Sequence, residues 1–349
     1  MKVAIITGSN GLIGSESVKF FSKSFDKIIG IDNDYRKFFF GKTASTNWVK
    51  KHLLNNVANY EHFDVDVCDK NSIKRIFSKY NKDTKLIIHT AAQPSHDWAA
   101  KNPILDFEVN TYGALNLLEA TREYSKNAVF IFTSTNKVYG DRPNQFNFKE
   151  TKTRYEILEK KYLSGFDEEL SIDNSKHSVF GCSKLSADIY VQEYGKYFNM
   201  NTGVFRGGCL TGPMHSGAEL HGFLSYLVKC NLQKEKYKIF GYKGKQVRDN
   251  IHSSDLISMF NFYYKNPSKG EIFNCGGGIK NNCSIIEAIN IIESITNIKM
   301  KYKILKNNRI GDHIWYITDY SKFKKKYPSW DQKYTLKETL AEIIENIHL

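Results

Sequence analysis

The chain has no apolar run that reaches the ~18 residues of a membrane-spanning helix. It has no Cys-x-x-Cys pair either: its six cysteines, at 68, 182, 209, 230, 275 and 283, lie scattered. That scatter argues against a disulfide framework and against zinc, and points to reduced thiols with no bound metal. No internal repeat or low-complexity linker interrupts the sequence, and its first residues read as a strand rather than a signal peptide. A soluble cytoplasmic protein is therefore expected. An excess of acid is missing too. The formal charge is +13, yet the lysines are spread along the whole chain beside many asparagines. The densest run, Lys322-Phe323-Lys324-Lys325-Lys326, stops at Tyr327-Pro328 and reads as a solvated helix end. Neither a nucleic acid nor a membrane is expected as a partner, whereas acidic small molecules such as nucleotide diphosphates suit a basic protein.

What is present begins at the first strand. With 349 residues and 41% hydrophobic content the chain can bury a large core. The run Val3-Ala4-Ile5-Ile6 leads into Thr7-Gly8-Ser9-Asn10-Gly11-Leu12-Ile13-Gly14. A strand that enters three glycines spaced by three and then a helix is a cradle for a dinucleotide pyrophosphate. Gly8 allows the tight turn, Gly11 lets the backbone approach the phosphates, and Gly14 lets the helix sit close to the sheet. The opening amides of the helix, from Leu12 and Ile13, then face the anion. The next apolar run, Lys27 to Ile31, ends at Asp32 and Asn33. A carboxylate at that strand tip accepts hydrogen bonds from an adenosine ribose and repels a 2′-phosphate, so NAD is favoured over NADP, with Arg36 close by as the feature that pulls the other way.

Further strand candidates at Tyr60–Val67, Leu86–Thr90, Ala128–Thr133 and Thr202–Arg206 alternate with helix-length segments. That alternation predicts an α/β fold, a Rossmann-type doubly wound parallel sheet. Asp66 and Val67 are placed beside the adenine, and Ala91, Ala92 and Gln93 beneath the middle of the cofactor. Residues 1–206 form the expected NAD-binding core, with a returning segment near 235–258. Residues 207–349 read mostly as a smaller substrate-binding cap over the C-terminal edge of the sheet. Ser95-His96-Asp97 matches a hydrolase triad in composition only, because adjacent residues of one loop cannot form the relay. Ser95 and His96 are instead expected to face nicotinamide or sugar. The stretch His215 to His221 reads as a substrate loop, its two histidines lacking metal-ligand spacing.

The fifth strand and the helix after it carry the chemistry: Phe132-Thr133-Ser134-Thr135-Asn136-Lys137-Val138-Tyr139-Gly140 and, later, His177-Ser178-Val179-Phe180-Gly181-Cys182-Ser183-Lys184 opening the helical run Leu185 to Tyr197. With Asp106-Phe107-Glu108-Val109-Asn110, Ala187-Asp188 and Gly244-Lys245-Gln246-Val247-Arg248-Asp249, these motifs resemble the extended short-chain dehydrogenase/reductase family. The resemblance runs nearly end to end and is to the nucleotide-sugar branch, within it to the CDP-paratose (CDP-tyvelose) 2-epimerases. It implies an NAD-dependent isomerase that epimerises C2 of a CDP-sugar in polysaccharide biosynthesis, and a homodimer built through helices packed as a bundle. The physical rationale is that a C2 proton without an adjacent carbonyl is not acidic. Transient oxidation to a 2-keto sugar, with NAD retained, allows the hydride to return to the other face.

In that family a tyrosine four residues before a lysine moves the proton of a sugar hydroxyl, while the lysine holds the nicotinamide ribose and lowers the phenol's pKa. By resemblance Lys184 is the lysine, Thr135 bonds the reacting oxygen, Asn136 assists it, and Thr133 and Asn110 belong to the cofactor site. The tyrosine position, however, is Phe180. Three readings stay open. Lys184, Lys137, His96, His177 or Cys182 moves the proton instead; or the reaction is a 4,6-dehydration; or the chain binds NAD and nucleotide sugar without turnover. Substrate contacts are expected from Ser95, His96, Asn136, Lys137, Phe180, His221, Arg248, Arg309 and Asp312, the two arginines as guanidinium forks for the diphosphate.

Overall fold

In the computed structural model, which describes all residues except 216, 218, 220, 221, 309, 310 and 347–349, the apolar opening run becomes β1 (Val3–Thr7), wholly buried. Burial of every residue is what a parallel strand covered on both faces requires. Around it stand β2 (Lys27–Ile31), β3 (Tyr60–Phe63), β4 (Thr84–His89), β5 (Val129–Thr135), β6 (Asn201–Gly207) and β7 (Glu271–Cys275). Their order in the sheet is β7-β6-β5-β4-β1-β2-β3. The pairs β1–β2, β1–β4, β2–β3 and β4–β5 are all parallel, and the chain order doubles back at β1 and β4. This is the doubly wound Rossmann arrangement that the alternating pattern predicts.

The covering helices follow from amphipathic spacing. In α2 (Lys70–Tyr80) Ile73, Ile76, Phe77 and Tyr80 form the buried stripe, and the Asp69 carboxylate caps the start by accepting from the amides of Asn71 and Ser72. Each such side chain contributes about 1.5–3 kcal/mol of burial, and the cap about 1 kcal/mol. Ile5, Ile29, Ile87, Phe130, Leu117 and Val191 meet in the same apolar cluster. The third strand stops at Phe63, short of the expected Val67, because the backbone turns at Val65 and again at the Asp69 cap.

The chain divides into two compact units. The first comprises Met1–Thr135, Val179–Arg206 and Ile257–Phe273; the second comprises Asn136–Ser178, Gly207–Leu256 and the chain from Asn274 onward. A boundary thus falls at 206/207, but 136–178 joins the second unit, and the segment that returns to the core is 257–273 rather than 235–258. Sheet pairing explains the difference. Glu271–Cys275 has to come back to extend the Rossmann edge, whereas Val247–His252 pairs with Cys209–Thr211, Asn282–Ser284 and Trp315–Tyr316. The second unit also holds a parallel pair, Lys236–Phe240 with Lys301–Leu305. Its own core joins Leu227, Ile239, Ile289, Ile292 and Leu340. No described helix is long and apolar enough to cross a membrane.

Candidate active site

The glycine turn of the first unit has the geometry a phosphate cradle needs. Gly8 sits at φ +66°, its amide bonded to the Ile31 carbonyl, and a Cβ there would lie 2.7 Å from the Ala91 nitrogen. A Cβ on Gly14 would lie 2.0 Å from the Gly8 carbonyl oxygen, so only glycine lets helix α1 (Leu12–Phe21) start this close to the strand. A Cβ on Gly11 would meet nothing but the Gly8 oxygen, at 3.3 Å. No side chain caps α1, which leaves the amides of Leu12 and Ile13 for an anion. The Asn10 side-chain oxygen is buried and has no hydrogen-bond partner among the described residues. An open cradle beside an orphaned polar atom fits a dinucleotide.

At the tip of β2 the Asp32 carboxylate accepts from the backbone amides of Asn10 (3.0 Å) and Asp34 (2.8 Å). Burial pushes its pKa up, and those two amides oppose the shift. Asp32 therefore also ties the glycine turn to the second strand. The Asn33 side chain accepts from the Tyr35 amide, and the Arg36 guanidinium lies over the Phe40 ring. Asp66 accepts from the Cys68 amide, while the Val67 side chain is buried and sits where Gly113 leaves room for it. Ala91 and Ala92 follow β4, with the Ala91 amide 3.3 Å from the Thr7 hydroxyl.

Gln93 and Ser95, expected at the nicotinamide or sugar, help to hold the loop after β4. Gln93 is fully buried and turns inward: its side-chain nitrogen donates to Asp106 (2.7 Å) and to the Ser95 carbonyl, and its oxygen accepts from the Ser95 amide. The Ser95 hydroxyl caps α3 (His96–Lys101). Both side chains are occupied in holding the loop, because a buried amide needs all its partners inside the protein. His96, at the start of α3, packs its ring edge-on against Phe180 at 4.9 Å. Asn110 lies in a π-helical turn, Glu108–Tyr112, between α4 (Pro103–Phe107) and α5 (Gly113–Tyr124). Its side chain links the Gln93 amide and carbonyl, Asp106 Oδ1 (3.0 Å) and the Ser183 hydroxyl (3.1 Å).

Helix α6 spans Val179–Tyr197 and starts before Phe180, so Phe180 and Lys184 are one turn apart on one face. The Lys184 ammonium is buried, donates to the Thr133 carbonyl at 2.9 Å and lies 4.2 Å from the centre of the Phe132 ring. Burial lowers its pKa to about 7, against the opposing pull of Asp188 and Asp106. Asp188 accepts from the Ser134 hydroxyl (2.6 Å) and, bidentately, from Nε and Nη2 of the Arg206 guanidinium (3.0 Å each). The Thr133 hydroxyl is buried without a hydrogen-bond partner among the described residues. Thr135 is the half-buried last residue of β5, and at Asn136 the chain enters a short 3₁₀ turn of the second unit. Phe180 is buried and brings no titratable group.

Within the second unit the expected diphosphate ligands form an internal cluster. The Arg248 guanidinium is ion-paired with Asp312 and also donates to the Val247 carbonyl. Burial acts to raise the Asp312 pKa, but Arg248 and Lys137 outweigh it and hold the carboxyl down to about 2. Lys137 donates to the Gly311 carbonyl at 2.9 Å. Arg248 is thus a matched charge rather than an open fork, since a buried guanidinium demands a carboxylate when no phosphate is supplied. His221 and Arg309 lie outside the described residues. The residues that sequence reasoning left without a role are Asp106 and Asp188. Helical spacing holds the signal for both: Asp106 stands four before Asn110, and Asp188 four after Lys184.

Residues 4–276 match the NAD dependent epimerase/dehydratase family model. The chain is 35% identical over 350 residues to the CDP-paratose 2-epimerase of Salmonella typhi, covering 98% of each. It is 27% identical to a dTDP-glucose 4,6-dehydratase of Salmonella typhimurium, over 96% of this chain and 85% of that one. Among solved structures, the UDP-glucuronic acid 4-epimerase of Bacillus cereus superposes with a TM-score of 0.78 at 22% identity, covering 99% of this chain and 98% of that one. From its strand-and-glycine opening to its lysine-bearing helix, this chain belongs to the NAD dependent epimerase/dehydratase family.

Proposed function

We propose that the protein is a nucleotide-sugar epimerase that inverts C2 of a CDP-sugar. The observation that carries this reading is the buried Lys184, bonded to the Thr133 carbonyl two residues before Thr135 on the fifth strand. The likeness to a CDP-paratose 2-epimerase over nearly the whole of both chains supports the substrate class. Bound NAD would supply reversible oxidation of the sugar carbon.

Gly8, Gly11, Leu12 and Ile13 would hold the cofactor's diphosphate, Asp32 with Asn33 adjacent would hold its adenosine ribose, and Asp66 and Val67 would flank its adenine. Ala91, Ala92, Asn110 and Thr133 line the remainder, with Asn10 and Gly14 shaping the turn. Lys184 holds the nicotinamide ribose and carries the positive charge that stabilises an alkoxide on the sugar. Thr135 hydrogen-bonds the reacting oxygen, and Asn136 fixes its direction. With Phe180 in place of a phenol, Lys184, its pKa lowered by burial to about 7, is the proton donor and acceptor. Lys137 and Arg248 take the sugar diphosphate, Arg248 by exchanging its Asp312 partner for phosphate oxygens.

The protein acts in the cytoplasm as a homodimer. Ile104, Phe107, Tyr112, Ile189, Tyr190 and Tyr197 on α4, the π-turn and α6 are exposed apolar side chains of the kind a helix bundle covers.

The test is a mass-spectrometric and NMR screen of CDP-, UDP-, GDP- and dTDP-sugars with the native protein and with Phe180→Tyr. The purified protein should carry NAD and interconvert two C2 epimers of a CDP-sugar. A 4-keto-6-deoxy product would replace this reading by a 4,6-dehydration. Phe180 is the observation that favours a second reading, NAD and nucleotide-sugar binding without turnover. Binding without interconversion in the native protein would establish it.

A further inference from the structure

A hydrogen-bonded chain leaves the glycine turn and ends at the surface. The Tyr60 hydroxyl, at the start of β3, lies 3.0 Å from the Ser9 hydroxyl of the turn and 3.0 Å from Nδ1 of His62. His62 Nε2 lies 3.1 Å from Asp64 Oδ1, and the Lys50 ammonium, on the helix Asn47–Asn56, bonds both Asp64 oxygens (2.7 and 2.6 Å). β2 carries a glycine where the tyrosine crosses it: a Cβ on Gly30 would lie 2.1 Å from the Tyr60 oxygen. Tyr60 and His62 share one face of β3, and His62 stands in register with Gly30. Gly30 thereby clears the path from His62 to the turn.

The hydrogens along this chain are few enough to count. Lys50 holds the Asp64 carboxyl below the usual carboxylate range, so Asp64 only accepts, and His62 donates to it from Nε2. The His62 side chain is 3% exposed. Burial, with Lys50 adding to it, lowers its pKa against the pull of Asp64 and of Asp32 at the tip of β2, so the ring is uncharged at neutral pH. Burial raises the Tyr60 pKa, so the phenol keeps its single hydrogen. With His62 neutral, Nδ1 is an acceptor: Tyr60 donates to it and accepts from Ser9, and every hydrogen is used. With His62 protonated, Nδ1 donates to Tyr60, and Tyr60 has to donate to Ser9. The Ser9 hydrogen is then stranded, because Ser9 is wholly buried and its side chain bonds Tyr60 alone among the described residues.

We propose that Tyr60 is a positioning residue for the dinucleotide, acting through Ser9, and that a proton on His62 loosens the turn's hold. This role rests on the reading that places the cofactor against the glycine turn, and it is independent of the sugar. An empty turn can open the stranded hydroxyl to water, whereas a turn closed on a diphosphate cannot. Acid therefore disfavours the filled turn, and by linkage a filled turn resists protonation of His62.

The experiment follows exchange of bound NAD for labelled NAD in the full-length holoprotein from about pH 8 to about pH 5, alongside an NMR titration of labelled histidine. The His62 signal is assigned by its loss in His62→Gln. Native exchange should quicken about tenfold toward acid, the effect of one stranded buried donor, and its midpoint should follow the His62 signal. His62→Gln, whose amide takes up no proton in this range, should stay slow throughout. Tyr60→Phe keeps the ring over Gly30 but leaves Ser9 without its partner at every pH, so exchange should be fast and flat. A tyrosine that merely fills space would leave the acid rise in place in Tyr60→Phe. If Tyr60→Phe does not fold, Ser9→Ala decides, because it removes the hydrogen that is stranded and should abolish the rise. Flat native exchange, or an acid rise that survives in any of the three variants, overturns the role of Tyr60. A Gly14→Ala protein that keeps its NAD overturns the placement of the cofactor at this turn instead.

Discussion

Arg248 and Lys184 are both buried cations with a basic group's usual demand for a partner, and the protein meets that demand in opposite ways. In the second unit Arg248 touches Asp312 directly, and the carboxyl is held far into its charged form. In the first unit Lys184 touches, among the described residues, a carbonyl and the face of a ring, with Asp188 and Asp106 acting on it through space. A guanidinium keeps its charge wherever it is put, so pairing stores it until another anion arrives. An ammonium stripped of water and denied a contact carboxylate titrates near neutrality, which suits a group that gives and takes a proton. In the proposed epimerase the environment of Arg248 serves as a clamp and that of Lys184 as an acid–base group.

The sharpest way to break that comparison is to remove the lysine. Lys184→Met should lower kcat by roughly 10²–10⁴-fold in a coupled or NMR assay of epimer interconversion. The same variant should be more stable than the native protein at pH 7. The folded pKa of Lys184 is about 7 against 10.5 for the free side chain. The unfolded chain therefore binds the extra proton between those values, and native stability rises with pH across that window. Lys184→Met should lose this rise and gain a few kcal/mol at neutral pH, read by denaturant melts at several pH values.

Asp312→Asn probes the other cation. It leaves Arg248 buried without its partner, which should cost about 3 kcal/mol in the ligand-free protein. If Arg248 is a clamp, a nucleotide diphosphate should then raise Tm by more in the variant than in the native chain; an equal or smaller rise would remove Arg248 from the diphosphate site.

Gly14→Ala tests the cradle rather than either cation. Its Cβ would collide with the Gly8 carbonyl, so about 1–3 kcal/mol of stability and the co-purifying NAD should both be lost. An NAD-loaded Gly14→Ala would mean that the phosphates bind elsewhere. The smallest effect on the fold is expected from Ile104→Asp, which removes an exposed apolar side chain. It should leave the melting curve nearly unchanged and shift sedimentation from dimer toward monomer.

Much of this was legible without coordinates. The run Val3 to Gly14 announced strand, turn and helix, and the Gly8 and Gly14 contacts are those the spacing required. Lys184 was legible through its place after Phe180 and the fifth-strand hydroxyls. What the loop sequence did not reveal is that Gln93 has buried neighbours to satisfy: its side chain bonds Asp106 and both backbone groups of Ser95. The returning segment was misplaced for a related reason. An apolar run such as Ile251 or Phe273 announces a strand but not the sheet it will extend.

The order of amino acids by itself determined the Rossmann architecture, the glycine cradle and the loss of a phenol at position 180, because periodicity, backbone freedom and the presence of a hydroxyl are local properties. Which charge faces which was decided only in three dimensions. Asp188 turns to Arg206, Asp312 to Arg248, and Asp106 to the neutral side chains of Gln93 and Asn110. Electrostatic partners depend on distance and burial, and neither exists until the chain has folded.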